Sequence, residues 1–156
     1  MLASFGIRMN NLKFSILANQ KRARAGEILT HHGKIKTPVF MPVGTIGSVK
    51  AIFPQELKNL DIDIILANTY HLMQRPGDKL IKEMGGLQNF INWGKPILTD
   101  SGGFQVWSLS KLKKISKDGI NFKSHIDGSQ IFLSPEKAID IQYNLNSNIS
   151  MVLDEC

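Results

Sequence analysis

The sequence predicts an α/β protein built on a parallel sheet, and three observations carry that expectation. Four short, mostly apolar stretches, 38–43, 62–66, 97–99 and 149–153, are separated by helix-like segments, which is βαβα order. Polar, hydrogen-bonding residues follow each stretch, as they do at the carboxyl ends of parallel strands where α/β folds collect their chemistry. Ahead of them lies a segment with a different rhythm, alternating apolar and polar residues, which predicts a separate antiparallel sheet.

Taken in order, Leu12, Phe14, Ile16 and Ala18 alternate with Lys13 and Ser15, the pattern of a half-buried strand. Gly26 to His31 forms a second short strand, and His32-Gly33 turns the chain into Lys34-Ile35-Lys36. Thr37-Pro38-Val39-Phe40-Met41-Pro42-Val43 is a strand whose two prolines leave it short of donors on one side. Pro54 and Glu56 suit the first turn of a helix over 54–60. Ile62-Asp63-Ile64-Ile65-Leu66 is a buried strand. Pro76-Gly77-Asp78 opens a helix with Leu80, Ile81 and Met84 on one side, stopped by Gly85-Gly86. Pro96 to Thr99 is the next strand.

Between Leu109 and Leu133 an inserted β-excursion takes the place of the expected helix. Its runs are 111–115, 121–126 and 131–133, with Asp118-Gly119 and Asp127-Gly128 as turns. Ser134-Pro135-Glu136 then opens a helix, Ser as N-cap and Pro at the first helical position, with Ala138, Ile141 and Leu145 as its apolar stripe. Ile149 to Leu153 closes the series as a strand.

Composition sets outer limits. The chain has 156 residues, 42% hydrophobic and 21% charged, ordinary for a globular protein and unlike a collagen-like, disulfide-dense or disordered chain. It is well short of the ~250 residues of a typical (β/α)8 barrel. Lys+Arg number 19 against 13 Asp+Glu, a net charge of +6 that suits a polyanionic partner. The single cysteine, Cys156, can form no internal disulfide and no multi-cysteine metal site, so a reducing compartment is expected. No window approaches 18 consecutive apolar residues, so no membrane is expected. Residues 1–11 have no basic region ahead of their apolar stretch and are expected to be a disordered leader.

Asp100-Ser101-Gly102-Gly103 is the sharpest local signal. A carboxylate at a strand end is followed by a hydroxyl and two residues without Cβ, so a flat ligand could approach the backbone and take its N–H groups. Phe104 could stack on such a ligand. From spacing alone, a tight turn with an Asx or Ser cap is the better reading. Asp154 is a second carboxylate on the same rim. Two carboxylate oxygens complement the N1–H and exocyclic amine of a guanine edge, although in isolation capping a helix start is the better reading of Asp154 and Glu155. Asn68-Thr69-Tyr70-His71 carries amide, hydroxyls and imidazole, and a structural loop accounts for it as readily as catalysis. His31, His32 and His125 are scattered, with no soft ligand near, so no metal site is expected. Lys111, Lys113, Lys114 and Lys117 form a basic run that is either a solvated face or a phosphate contact.

The stretch Leu98-Thr99-Asp100-Ser101-Gly102-Gly103-Phe104-Gln105-Val106 resembles the bacterial-type tRNA-guanine transglycosylases (queuine tRNA-ribosyltransferases). Thr37 to Thr45, Asn68 to Leu72, Arg75-Pro76-Gly77, Phe122 to Gly128 and Asp154-Glu155-Cys156 resemble the same family, in order and at family spacing, over roughly residues 12–156. The resemblance implies a partial TIM (β/α)8 barrel, about its first four β/α units, with an N-terminal antiparallel sheet and a β-hairpin insertion. Residues 12–156 are then the N-terminal part of one catalytic domain.

The implied activity is exchange of guanine for a 7-deazaguanine at the wobble position of tRNA, in the cytoplasm. Asp100 is implied as proton acceptor. Ser101, Gly102, Gly103 and Phe104 line the base pocket with it, and Asp154 binds the guanine edge. The family's nucleophilic aspartate, its zinc site of three cysteines and a histidine, and parts of its homodimer contacts fall beyond Cys156. The chain is therefore expected to be a truncated or split member, inactive alone and with no cofactor of its own. A non-catalytic RNA-binding or accessory subunit of the same fold, or an archaeal-type transglycosylase, are the alternatives.

Overall fold

The computed structural model describes residues 12–109 and 113–154. The leader, Lys111 and Leu112 of the excursion, and Glu155-Cys156 lie outside the described residues. The chain begins with β1 (Lys13–Gln20), β2 (Ala23–Thr30) and β3 (Gly33–Thr37), an antiparallel sheet in the order β1-β2-β3. It continues through β4 (Val43–Gly44), α1 (Pro54–Asn59), β5 (Ile65–Ala67), α2 (Thr69–Gln74), α3 (Asp78–Glu83), α4 (Leu87–Phe90), β6 (Ile97–Thr99), α5 (Gly103–Leu109), β7 (Lys113–Ser116), β8 (Gly119–Lys123), β9 (Gln130–Leu133), α6 (Pro135–Asn144) and β10 (Ile149–Ser150). Strands β4, β5, β6 and β10 pair in parallel in chain order, and β7, β8 and β9 form a second antiparallel sheet between α5 and α6. The mixed α/β class, the parallel sheet and both antiparallel sheets agree with the sequence.

The strand expected over 62–66 is paired only at Ile65–Ala67, and three further strands differ from their expected form, each for a physical reason. β1 is exposed along its whole length rather than half-buried. It pairs only with β2, and a register shift between Ile16 and Ala18 breaks the alternation that would aim one apolar face inward. The strand expected over 38–43 is ladder-paired only at Val43–Gly44, with the carbonyl of Pro42 accepting from Leu66 N at 2.9 Å. Pro38 and Pro42 have no N–H to give a ladder. The last strand stops at Ser150, where a side chain joins the ladder. Met151 N still donates to Thr99 O (3.1 Å) but shares that hydrogen with Gln142 Oε1 of α6 (3.0 Å), and Gln142 Nε2 donates to Met151 O (2.9 Å).

The core lies between the parallel sheet and its helices. Ile65, Ala67 and Ile97 meet Tyr70, Leu72, Ile81, Leu87, Trp93 and Val106, and Ile120, Phe122 and Leu133 bring the inserted sheet into the same cluster. α6 opens as expected: Ser134 Oγ accepts from Lys137 N at 3.2 Å, Pro135 stands in the first turn, and Ala138, Ile141 and Leu145 face the core. In the parallel ladder Val43, Leu66, Leu98 and Ile149 stand side by side on the face away from the helices, and all four keep contact with solvent.

Asn148 ties the N-terminal sheet to the parallel one. Its Oδ1 accepts from Ile97 N (3.0 Å) and from Gln88 Nε2 (3.1 Å), and its Nδ2 lies 2.9 Å from His32 Nδ1 in the β2–β3 turn. Replacing Asn148 with alanine leaves the buried Ile97 N–H without its acceptor and takes one of two acceptors from the Gln88 amide, which keeps Asn146 O at 3.0 Å. We expect Asn148→Ala to cost about 1–3 kcal/mol in urea-induced unfolding; an unchanged midpoint would show that the cluster is not what joins the two sheets.

Candidate active site

The site forms where β5 and β6 end. Strand alternation places Asn68 and Asp100 on the same face as Leu66 and Leu98, one position past the ladder. Asp100 N still donates to Ala67 O (3.2 Å), so the two chains run side by side up to the carboxylate. Thr69 then locks the junction by donating twice to Asp100. Its N–H donates to Asp100 Oδ1 at 2.8 Å, and its hydroxyl donates to the Asp100 carbonyl at 2.6 Å. Asn68 Nδ2 and Gln105 Nε2 (3.0 Å) both donate to Asp100 Oδ2. The carboxylate accepts three hydrogen bonds and is half-buried, so its position is set before any ligand arrives.

Ser101 turns the chain into α5 and joins the second carboxylate. Its Oγ accepts from Gly103 N at 3.1 Å, the cap that the turn reading anticipated, and donates its proton to Asp154 Oδ1. The turn and the link between Ser101 and Asp154 are thus the same structure. The two glycines are needed for closeness. Gly102 has φ +83°, and a Cβ there would lie 3.2 Å from Tyr70 N. A Cβ on Gly103 would stand 2.8 Å from Asp154 O and 3.0 Å from its Oδ1. Asp100, Ser101, Gly102, Gly103 and Asp154 are therefore drawn together. Phe104, 53% exposed, stands on the first turn of α5 with its ring centroid 5.9 Å from that of Trp107.

Two groups were missed or under-read in the sequence. Gln105 sits five residues after Asp100 and returns to it from the first turn of α5; its Oε1 is buried and has no partner among the described residues. Asn68-Thr69-Tyr70-His71 is not a loop. It caps and begins α2, whose Tyr70 is fully buried and shares a 3.0 Å hydrogen bond with His125 Nδ1. His71 packs edge-on against both Tyr70 and His125, at 5.1 and 5.7 Å between centroids. No group of three or more His, Cys, Asp or Glu among the described residues could hold a metal ion.

The family model for queuine tRNA-ribosyltransferase matches residues 19–156. The chain belongs to this family. Queuine tRNA-ribosyltransferases of Natranaerobius thermophilus, Lawsonia intracellularis and Rickettsia typhi are 59%, 60% and 55% identical to it, over 89%, 92% and 95% of its length. Those matches cover 38%, 38% and 41% of the relatives, so the chain spans about two fifths of the queuine tRNA-ribosyltransferases it matches. The site at Asp100 lies inside the matched segment.

Burial lowers the pKa of His71 below 6.5, the nearby His125 lowers it further, and Asp100 opposes them. A histidine depressed in the fold binds fewer protons folded than unfolded, so its contribution makes stability fall as pH drops through 6.5. In an NMR titration His71 should have its midpoint below 6.5, moving up in His125→Gln and further down in Asp100→Asn. Movement in the opposite directions would contradict this arrangement. Gly102→Ala should lose about 1–2 kcal/mol, the cost of a left-handed backbone for an L-residue; an unaltered thermal midpoint would show that the turn relaxes.

Proposed function

We propose that this chain is the base-recognition and proton-transfer part of a tRNA-guanine transglycosylase, exchanging guanine for a 7-deazaguanine at the tRNA wobble position. The observation that carries the proposal is the pairing of Asp100 and Asp154 at the ends of neighbouring parallel strands, with Ser101 hydrogen-bonded to Asp154 between them. Carboxylates at the carboxyl ends of parallel strands are where a (β/α)8 barrel keeps its chemistry. In this reading residues 12–156 supply about the first four β/α units of one catalytic domain. The row Val43, Leu66, Leu98 and Ile149 becomes a layer of the barrel interior once the remaining strands close around it.

Each residue then has a role. Asp154 accepts the two N–H groups of the guanine edge in parallel. Ser101, Gly102 and Gly103 admit the flat base against the backbone, and Phe104 covers its face. The exchange is a double displacement with retention. An enzyme carboxylate bonds to the ribose anomeric carbon as the bond to guanine breaks. The incoming base then attacks that carbon through its ring nitrogen, gives the nitrogen's proton to Asp100, and releases the enzyme carboxylate. The family resemblance puts the attacking carboxylate beyond Cys156, so residues 1–156 supply recognition and proton transfer without the first displacement. The zinc that the resemblance implies finds no donor set among the described residues, and no step here runs through it. No helix among the described residues is long and apolar enough to cross a membrane, in keeping with a cytoplasmic tRNA enzyme.

Calorimetry with free guanine tests this. Residues 1–156 should bind it, and Asp154→Asn, which turns an acceptor toward guanine's donors into a donor, should weaken binding roughly 10- to 100-fold. The same preparation should not exchange labelled guanine into tRNA. Guanine affinity indifferent to Asp154, or exchange by 1–156 alone, would refute the proposal.

A further inference from the structure

The basic run of the excursion splits by strand alternation into two faces. Lys113 and Ile115 pair with Phe122 and Ile120, and these with Ile131 and Leu133; this face packs on the body of the protein. Lys113 accordingly turns back, its Nζ donating to Trp107 O and lying 5.3 Å from the Trp107 ring centroid. The other face carries Lys114, Asn121 and Phe132 on one rung and Lys123 and Gln130 on the next, with Lys117 at the β7–β8 turn. Lys114, Lys117 and Lys123 are exposed, and none forms an ion pair with a described residue. Lys137 adds a fourth cation at the β9 edge, its Nζ donating to Phe132 O at 2.8 Å. Three acids neighbour this face: Asp118, which shares the β7–β8 turn with Lys117, Asp127 in the loop after β8, where Ser129 binds it through N (3.1 Å) and Oγ (2.8 Å), and Glu136 on α6.

The sheet is also anchored to the candidate site. Past the Lys123–Gln130 rung, His125 stacks on Tyr70 (5.3 Å between centroids) and bonds its hydroxyl, and Tyr70 follows the Asn68-Thr69 pair that grips Asp100. Same-face residues on one strand lie about 7 Å apart. Lys123, Lys114 and Lys117 therefore form a line of cations beside the site, with Lys117 bordering the cavity that Gly103 and Asp154 line.

We propose that the outer face of β7–β9, through Lys123, Lys114 and Lys117, holds the RNA backbone flanking the guanine nucleotide. Lysines give sequence-independent phosphate contact, amides reach phosphate or sugar oxygens, and the exposed Phe132 offers an unstacked base a platform. An RNA suits this face better than an acidic peptide because the cations are interleaved with an aromatic ring. The inference rests on the transglycosylase reading for its partner but not for its geometry.

The test uses residues 1–156 and an anticodon stem-loop RNA with guanine at the wobble position, followed by fluorescence anisotropy between about 50 and 200 mM salt. The wild-type chain should bind with salt-dependent affinity. Lys114→Glu/Lys123→Glu should bind at least about 10-fold more weakly at low salt and lower the salt slope by about 2. The control pair Lys79→Glu/Lys82→Glu on α3 changes net charge equally and should have much the smaller effect. Lys114→Gln/Lys123→Gln, with matching circular dichroism, guards against a folding defect and should show an intermediate loss. Free-guanine binding on the same samples should be unchanged. Loss of RNA affinity with guanine binding intact supports the surface. RNA affinity unchanged in the lysine pair, an equal loss in the control pair, competition by polyglutamate as strong as by RNA, or no RNA binding by the wild type overturns it, whatever the guanine result.

Discussion

Thr69 gives Asp100 two hydrogen bonds, one from its N–H to the carboxylate and one from its hydroxyl to the carbonyl, across the carboxyl ends of β5 and β6. This pair sets the geometry of the whole rim. It fixes the relative height of two parallel strands that are only three residues long, too short to hold their register through ladder bonds alone. It also occupies the Asp100 carbonyl and Oδ1, leaving Oδ2 to Asn68 and Gln105. From that fixed point the chain can turn only through a residue that tolerates positive φ and close contact with α2, which is Gly102. Ser101 is thereby aimed at Asp154. Each step depends on the one before it, from strand register to carboxylate position to the meeting of two acids distant in sequence.

The parallel order was legible because short apolar runs and helix signals alternate through the chain. The Ser134 cap and the turns of the inserted sheet were legible because their chemistry is local. What sequence could not show is where partners come from afar. Gln142 brackets Met151 just past β10 from another element, and Gln105 reaches back to Asp100 across a helix start. α2 and α5 were hidden because polar residues chosen for the rim mask the short helices that carry them. Periodicity also misjudged β1, since alternation predicts a face to bury but not whether anything will cover it.

At Ser101 the choice between turn and site was a false one. The hydroxyl caps Gly103 as an acceptor and reaches Asp154 as a donor, and one oxygen serves both. Local turn chemistry is therefore no argument against function at a strand end. The inserted sheet teaches the reverse lesson. Lys113, Lys114 and Lys117, which look equivalent along the chain, divide between two faces once the pleat is known, and Lys123, outside the run, belongs with the outward ones.

The amide cluster at the opposite end of the strands has a use of its own. The carboxamides of Asn148 and Gln88 both close on His32 Nδ1, with Asn148 Nδ2 at 2.9 Å, Asn148 Oδ1 at 3.0 Å and Gln88 Nε2 at 3.3 Å. An imidazole nitrogen gripped by two carboxamides has a nitrogen resonance unlike that of a solvated ring. It makes His32 a built-in gauge of whether the first hairpin is seated, readable by spectroscopy without touching any residue around Asp100.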